Sequence, residues 1–145
     1  MFNMSLSLNY YKTMLLSVKT LVVGGKRKVA KPILLLAIIQ AIRNLVVTEN
    51  KVKYSDELED IYIKLYEKYG EQVSPMKYPF YHLASDGFYH IKGELSTKSP
   101  TPKQLRERIE YVYLDEQLWQ LLQSESNRIE LQKAIEEYFN LTNQQ

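Results

Sequence analysis

Both histidines of the chain, His82 and His90, fall within one stretch, Lys77 to Gly93, which also carries five Tyr or Phe rings. Two imidazoles facing each other could hold half a metal site. No Asp or Glu is evidently placed to complete it, so no metal is expected. As ring N–H donors on an exposed face, they could instead contact phosphates or base edges. A second candidate lies upstream. Lys26-Arg27-Lys28-Val29-Ala30-Lys31 is the densest positive cluster, and it follows the pair Gly24-Gly25. Such a loop can grip phosphates, or it can be a solvated connector. Lys31 precedes Pro32, which suits the first turn of a helix. Free N–H groups there, together with the Lys31 ammonium, favour an anion. Third, Tyr78-Pro79-Phe80 reads as a stiff apolar corner, because proline fixes its own φ and pushes Tyr78 towards an extended backbone. It is either a core-packing corner or a preformed apolar pocket.

The remaining chemistry is sparse. No phosphate-binding glycine loop, nucleophile elbow or His-x-x-x-His helix is present in the sequence. The pairs Asp115-Glu116 and Glu136-Glu137 read as solvated faces or caps rather than as an acid–base pair. No catalytic residue and no cofactor is assigned.

These candidates must be positioned by the rest of the chain. Leu6 to Val23 shows apolar residues at three- and four-residue steps, which predicts an amphipathic helix capped by Gly24-Gly25. Residues 33–42 are apolar on nearly every face and predict a buried central helix. Lys51 to Tyr54 reads as a short strand-like piece. Asp56 and Glu59 fit a capping box for a helix that ends at Gly70. Ala84 to Phe88 is a hairpin signal. A two-residue Asp86-Gly87 loop is one register. A type I turn with a glycine bulge is preferred, since it puts Tyr81, Leu83, Tyr89 and Ile91 on one face. Pro102 should open a helix over residues 103–111. Asp115 and Ser126 should begin the last two helices. The expected fold is α+β: a mainly helical single domain with one β-hairpin. Its helix, short strand, helix, hairpin order is winged-helix-like in topology alone.

Composition bounds the partner. At 145 residues and 45% hydrophobic content, the chain can bury one core, which argues against disorder. With no cysteine, a disulfide scaffold, cysteine-ligated zinc and thiol catalysis are excluded. That suits a cytoplasmic setting. No apolar run approaches the roughly 20 residues that span a bilayer, so no membrane partner is expected. Residues 1–54 carry nine Lys or Arg and one acid, whereas residues 55–145 carry ten and sixteen. A basic half of this kind suits a polyanion, held locally because the net charge is only +2.

Four segments carry a resemblance. They are Ala30-Lys31-Pro32-Ile33-Leu34-Leu35-Leu36, Tyr78-Pro79-Phe80-Tyr81-His82-Leu83, Ser85-Asp86-Gly87-Phe88-Tyr89-His90-Ile91, and the helical end from Tyr113-Leu114-Asp115-Glu116-Gln117-Leu118-Trp119 through Tyr138-Phe139. In this order they resemble the sulfur-binding domain of McrA-type restriction endonucleases. That family recognises phosphorothioated DNA and usually carries a C-terminal HNH nuclease. Two departures stand out. The family often has histidine where this chain has Ala30, and arginine where it has His82, so two DNA contacts differ. Six residues follow Phe139, which leaves no room for an HNH nuclease in this sequence. The chain is therefore read as a stand-alone reader or one part of a longer protein.

The resemblance implies that residues 1–145 form one DNA-recognition domain without a nuclease, acting on phosphorothioated duplex DNA in the major groove. Tyr78, Pro79 and Phe80 would form the sulfur pocket. Lys31 and His82 would contact an anion or base, and Lys26, Arg27 and Lys28 would hold phosphates. A separate nuclease and a homodimer are compatible partners. Two other functions fit the residues: a DNA-binding adaptor without sulfur preference, and a protein-interaction module using a tyrosine-rich face. The chain is not expected to be an enzyme by itself.

Overall fold

In the computed structural model, which describes residues 4–143, the most buried element is a helix of continuous apolar sequence. This helix, α2 (Ala30–Arg43), buries ten residues, and Ile33, Leu34, Ala37 and Ala41 have no exposed surface. An all-round apolar helix must be enclosed on every side. Helices α3 (Asp56–Lys68), α4 (Lys77–His82) and α7 (Glu125–Tyr138) pack against it, while α1 (Met4–Leu16) packs on α7 and on α6 (Glu116–Leu121). Pro32 lies in the third helical position of α2, not the first. No intrahelical bond is lost there, because the early N–H groups have no helical partner. Ser55, rather than Asp56, caps α3 by accepting from the Leu58 amide. Asp56 then falls in the first turn, where its charge favours the helix dipole.

Three expectations are corrected. First, α1 ends at Leu16, and residues 22–27 form a small hairpin of β1 (Val22–Val23) and β2 (Lys26–Arg27). Gly24 and Gly25 are its two-residue turn, with φ of 59° and 78°. Two consecutive positive φ values match the twist of a tight hairpin, so the glycine pair is a turn and not a helix cap. Second, the 77–91 stretch is not a hairpin. Lys77–His82 is helical, Leu83–Asp86 is a 3-10 turn, and Gly87 closes it at φ 95°. Pro79 stands at the third helical position, where proline is tolerated. The four- and three-residue steps of Met76, Phe80 and Leu83, all buried, decide helix over strand. Third, the sheet is made by β3 (Tyr89–Gly93) and β4 (Ile109–Leu114), with α5 (Pro102–Arg108) in between. The helix read over 103–111 therefore stops at Arg108, and Ile109 turns extended at φ −98°, ψ 124°. This order is not the helix, short strand, helix, hairpin succession that prompted the winged-helix comparison.

The α+β character and the mainly helical core hold, as does the strand-like piece at 51–54. Val52 exchanges two 2.7 Å backbone hydrogen bonds with Val112, which adds a third row to the β3–β4 sheet. At the end of α7 Tyr138 is 51% exposed, and Phe139, the residue after it, is buried. No helix among the described residues is long and apolar enough to cross a membrane.

Buried phenols are frequent in this core and set an alkaline limit. Burial first, and then Glu59, pushes the Tyr54 hydroxyl up to about 12. Burial likewise raises Tyr62, Tyr69 and Tyr89. Tyr62 donates to the Ser74 carbonyl at 2.7 Å and Tyr89 to the Phe80 carbonyl at 2.6 Å. A folded-state pKa above the unfolded one means that the stabilisation is complete below pH 10. It is lost as pH rises through the folded values. Urea midpoints should therefore hold steady to pH 10 and fall between there and about 12. A midpoint that stays flat across that window contradicts the assignment.

Candidate nucleic-acid interface

A cleft of about 520 Å³ opens where three segments meet: the start of α2, the length of α4, and the stem of the β1–β2 hairpin. Its apolar surface comes from Leu21, Ala30, Tyr78 and Pro79. Its polar groups include Lys19, Lys28, Lys31 and His82. The local sequence explains each placement. Helix α4 is short and amphipathic, so Phe80 and Leu83 turn to the core while Tyr78 and His82 turn outward. Residues 17–21 run from α1 to the hairpin and place Lys19 and Leu21 opposite α4. The Lys28 amide donates to the Leu21 carbonyl at 2.7 Å, which closes the hairpin stem as one wall.

The floor is electrostatically balanced. Lys31 Nζ lies 2.7 Å from Asp86 Oδ2, and the two side chains are only 13% and 3% exposed. Asp86 Oδ1 accepts from the Lys19 amide at 2.8 Å, so one carboxylate ties the 3-10 turn to α2 and to the opposite wall. Lys19 Nζ also reaches the Ser85 carbonyl, at 3.4 Å. The rim cations Lys19 and Lys28 are exposed and form no ion pair among the described residues.

The sequence candidates separate into two sets. Tyr78, Pro79, Lys28, Lys31 and His82 come together in the cleft. Tyr78 is 48% exposed, with Lys77 Nζ 5.0 Å from its ring centroid. Phe80 does not line the cleft: it is fully buried, edge-on to Tyr54 at 5.0 Å and to Tyr89 at 6.4 Å. Lys26 pairs with Glu71 at 2.8 Å, and Arg27 stacks over Tyr138 and Phe139 at 5.4 and 5.6 Å. Neither lines the cleft. Lys19, Leu21 and Asp86 were missed. Leu21 and Lys19 were read as part of a helix, and Asp86 as part of a hairpin turn.

The histidines also part company. His82 ends α4, edge-on to Tyr81 at 5.0 Å. His90 sits in β3, with its Nε2 donating to Asp115 Oδ1 at 2.6 Å. Asp115 Oδ2 accepts from the Tyr11 hydroxyl at 2.8 Å. Asp115 is the N-cap residue of α6 by backbone position, but its carboxylate bridges α1 and β3 instead of capping. Among the described residues no group of three metal-ligating side chains occurs.

A protein-family model, described as the ScoMcrA-like DNA sulfur-binding domain, matches residues 11–145. The chain belongs to this family. Two solved structures share the sulfur-binding fold. One is the sulfur-binding domain of SprMcrA complexed with phosphorothioated DNA, at TM-score 0.70 and 16% identity, covering 96% of this chain and 89% of that one. The other is the sulfur-binding domain of ScoMcrA complexed with phosphorothioated DNA, at TM-score 0.68 and 23% identity, covering 90% and 88%. No curated protein matches.

Proposed function

We propose that this sulfur-binding domain reads phosphorothioated duplex DNA by seating the modified phosphate in the cleft. The observation that carries the reading is the juxtaposition of Pro79, Tyr78, Leu21 and Ala30 with the lysines of the rim. A sulfur that replaces a non-bridging oxygen is larger, softer and more weakly hydrated. An apolar wall therefore costs sulfur less desolvation than oxygen, and its contact adds dispersion. The Lys31–Asp86 pair leaves the floor nearly neutral, so an ordinary phosphate gains little by leaving water. Lys19 and Lys28 hold the backbone charge at the rim. Selectivity then comes from penalising the oxygen ligand.

The whole chain acts as one recognition module, and strand cleavage in a restriction system falls to a nuclease supplied elsewhere. The setting is the bacterial cytoplasm. Lys28, Lys31, Tyr78, Pro79 and His82 contact the DNA at the cleft; Lys26 and Arg27 reach phosphates farther along the hairpin; Phe80 acts by supporting Pro79 from the core.

A salt series with two matched duplexes, one phosphorothioated and one not, tests this function. Sulfur for oxygen leaves the phosphate charge unchanged, so both log affinity against log salt lines should be parallel, with the modified duplex displaced to tighter binding. Lys19→Ala with Lys28→Ala should remove roughly two contacts, at about 0.9 per contact, flattening each slope by about 1.8. Both duplexes should weaken alike. Superimposed lines would favour an adaptor without sulfur preference, and a zero slope would favour a protein-interaction module.

A further inference from the structure

Six side chains on the outer face of the β3–β4 sheet are unused by the cleft. The register pairs His90 with Tyr113 and Lys92 with Tyr111. The antiparallel bridge of Val52 with Val112 adds Lys51 and Lys53 as a third row. Alternation buries Tyr89, Val52, Val112 and Leu114 on one side and leaves these six on the other. The result is a band of rings flanked by cations: Lys51 and Lys53 on one edge, Tyr113 and Tyr111 in the middle, His90 and Lys92 on the other. The rings adjoin one another, with centroids 5.1 Å apart for His90 and Tyr113 and 6.1 Å for Tyr111 and Tyr113. Lys51 Nζ stands 5.3 Å from the Tyr111 centroid.

The charge here runs against its surroundings. Residues 55–145 carry an acidic excess, yet Lys92 and the rings of that half join Lys51 and Lys53 from the basic half. None of the three lysines forms an ion pair among the described residues. Asp115, beside this face, already serves the Tyr11 hydroxyl and His90, and Glu110 is the exposed acid next to Tyr111 in β4. Protein interfaces are depleted in lysine, so a protein partner fits this face poorly. One exposed ring, Tyr113, and the half-buried rings of Tyr111 and His90 beside cations instead suit a single-stranded nucleic acid, whose bases can stack while its phosphates meet the lysines.

We propose that this face binds single-stranded nucleic acid, with Tyr111, Tyr113 and His90 against bases and Lys51, Lys53 and Lys92 against phosphates. It is separate from the cleft, because none of these residues lines that cavity. Fluorescence anisotropy with a labelled oligothymidylate of about twelve nucleotides tests it, a length within the usual site sizes of such platforms. The wild-type protein should bind, with affinity falling as salt rises. Tyr111→Ala with Tyr113→Ala should weaken the oligonucleotide about tenfold or more while leaving the matched phosphorothioated duplex unaffected. Lys51→Glu, Lys53→Glu and Lys92→Glu together should abolish single-strand binding, and this surface variant serves if the tyrosine variant fails to fold. A wild-type protein that ignores the oligonucleotide would overturn the proposal. So would a folded lysine variant that binds normally, or a loss that follows Tyr78→Ala instead, which would assign the binding to the cleft.

Discussion

Tyr78→Ala is expected to weaken binding of a phosphorothioated duplex about ten- to 150-fold while unmodified DNA changes little. The ring contributes one apolar wall of the cleft, and an apolar contact of this size is worth about 1.4–3 kcal/mol. Because Tyr78 is half exposed, the substitution removes cleft surface without opening the core. Its melting temperature should stay close to that of the wild type. Titration of both duplexes separates this effect from that of the rim lysines, where the two DNAs weaken together. Equal losses on both duplexes would make Tyr78 a general DNA contact.

Asp86→Ala should act mainly on the fold. Its carboxylate is 3% exposed and bound to the Lys31 ammonium, which is itself largely buried. Removing one member of such a pair leaves a charge without compensation, at about 3–5 kcal/mol. The Lys19 amide loses its acceptor as well, so the wall that carries Leu21 loosens. For a domain of this size the melting temperature should drop by roughly 6–20 °C. Asp86→Asn keeps an acceptor and should be milder. It also leaves Lys31 unneutralised at the cleft floor, so unmodified DNA should bind more tightly and the preference for sulfur should shrink. A thermal melt and the two-duplex titration check both halves. An Asp86→Ala protein that melts like the wild type would mean that the pair is solvent-screened.

The buried helix α2 was legible because continuous apolar sequence leaves no polar face. The Gly70 stop of α3 and the Pro102 start of α5 were legible from glycine and proline geometry. The 77–91 stretch was not. Its Asp86-Gly87 pair is a hairpin signal in isolation, but Gly87 closes a 3-10 turn, since Met76, Phe80 and Leu83 gain more by entering one core as a helical face. The β3–β4 pairing joins residues about twenty apart, with a helix between them, and no local pattern encodes such a contact. At the site, residue type revealed Tyr78, Pro79 and Lys31, because proline beside aromatic residues and a cation beside a helix start are local features. Lys19 and Leu21 enter the cleft, and Asp86 reaches the cleft residue Lys31, only through the fold. Lys26 and Arg27 share composition with Lys28, but their own partners, Glu71 and Tyr138, hold them elsewhere.

In the proposed complex the sulfur atom touches the apolar wall at Pro79. A double-mutant cycle measures that contact directly, with Pro79→Ala as one change and sulfur to oxygen in a single phosphate as the other. Four affinities at one salt concentration suffice, after circular dichroism shows the variant to be folded. Wild type should prefer the sulfur duplex by about tenfold or more, and Pro79→Ala should remove most of this factor. The coupling would then be about 1.4 kcal/mol. If the wild-type and Pro79→Ala proteins show the same sulfur-to-oxygen ratio, the sulfur does not rest on this wall.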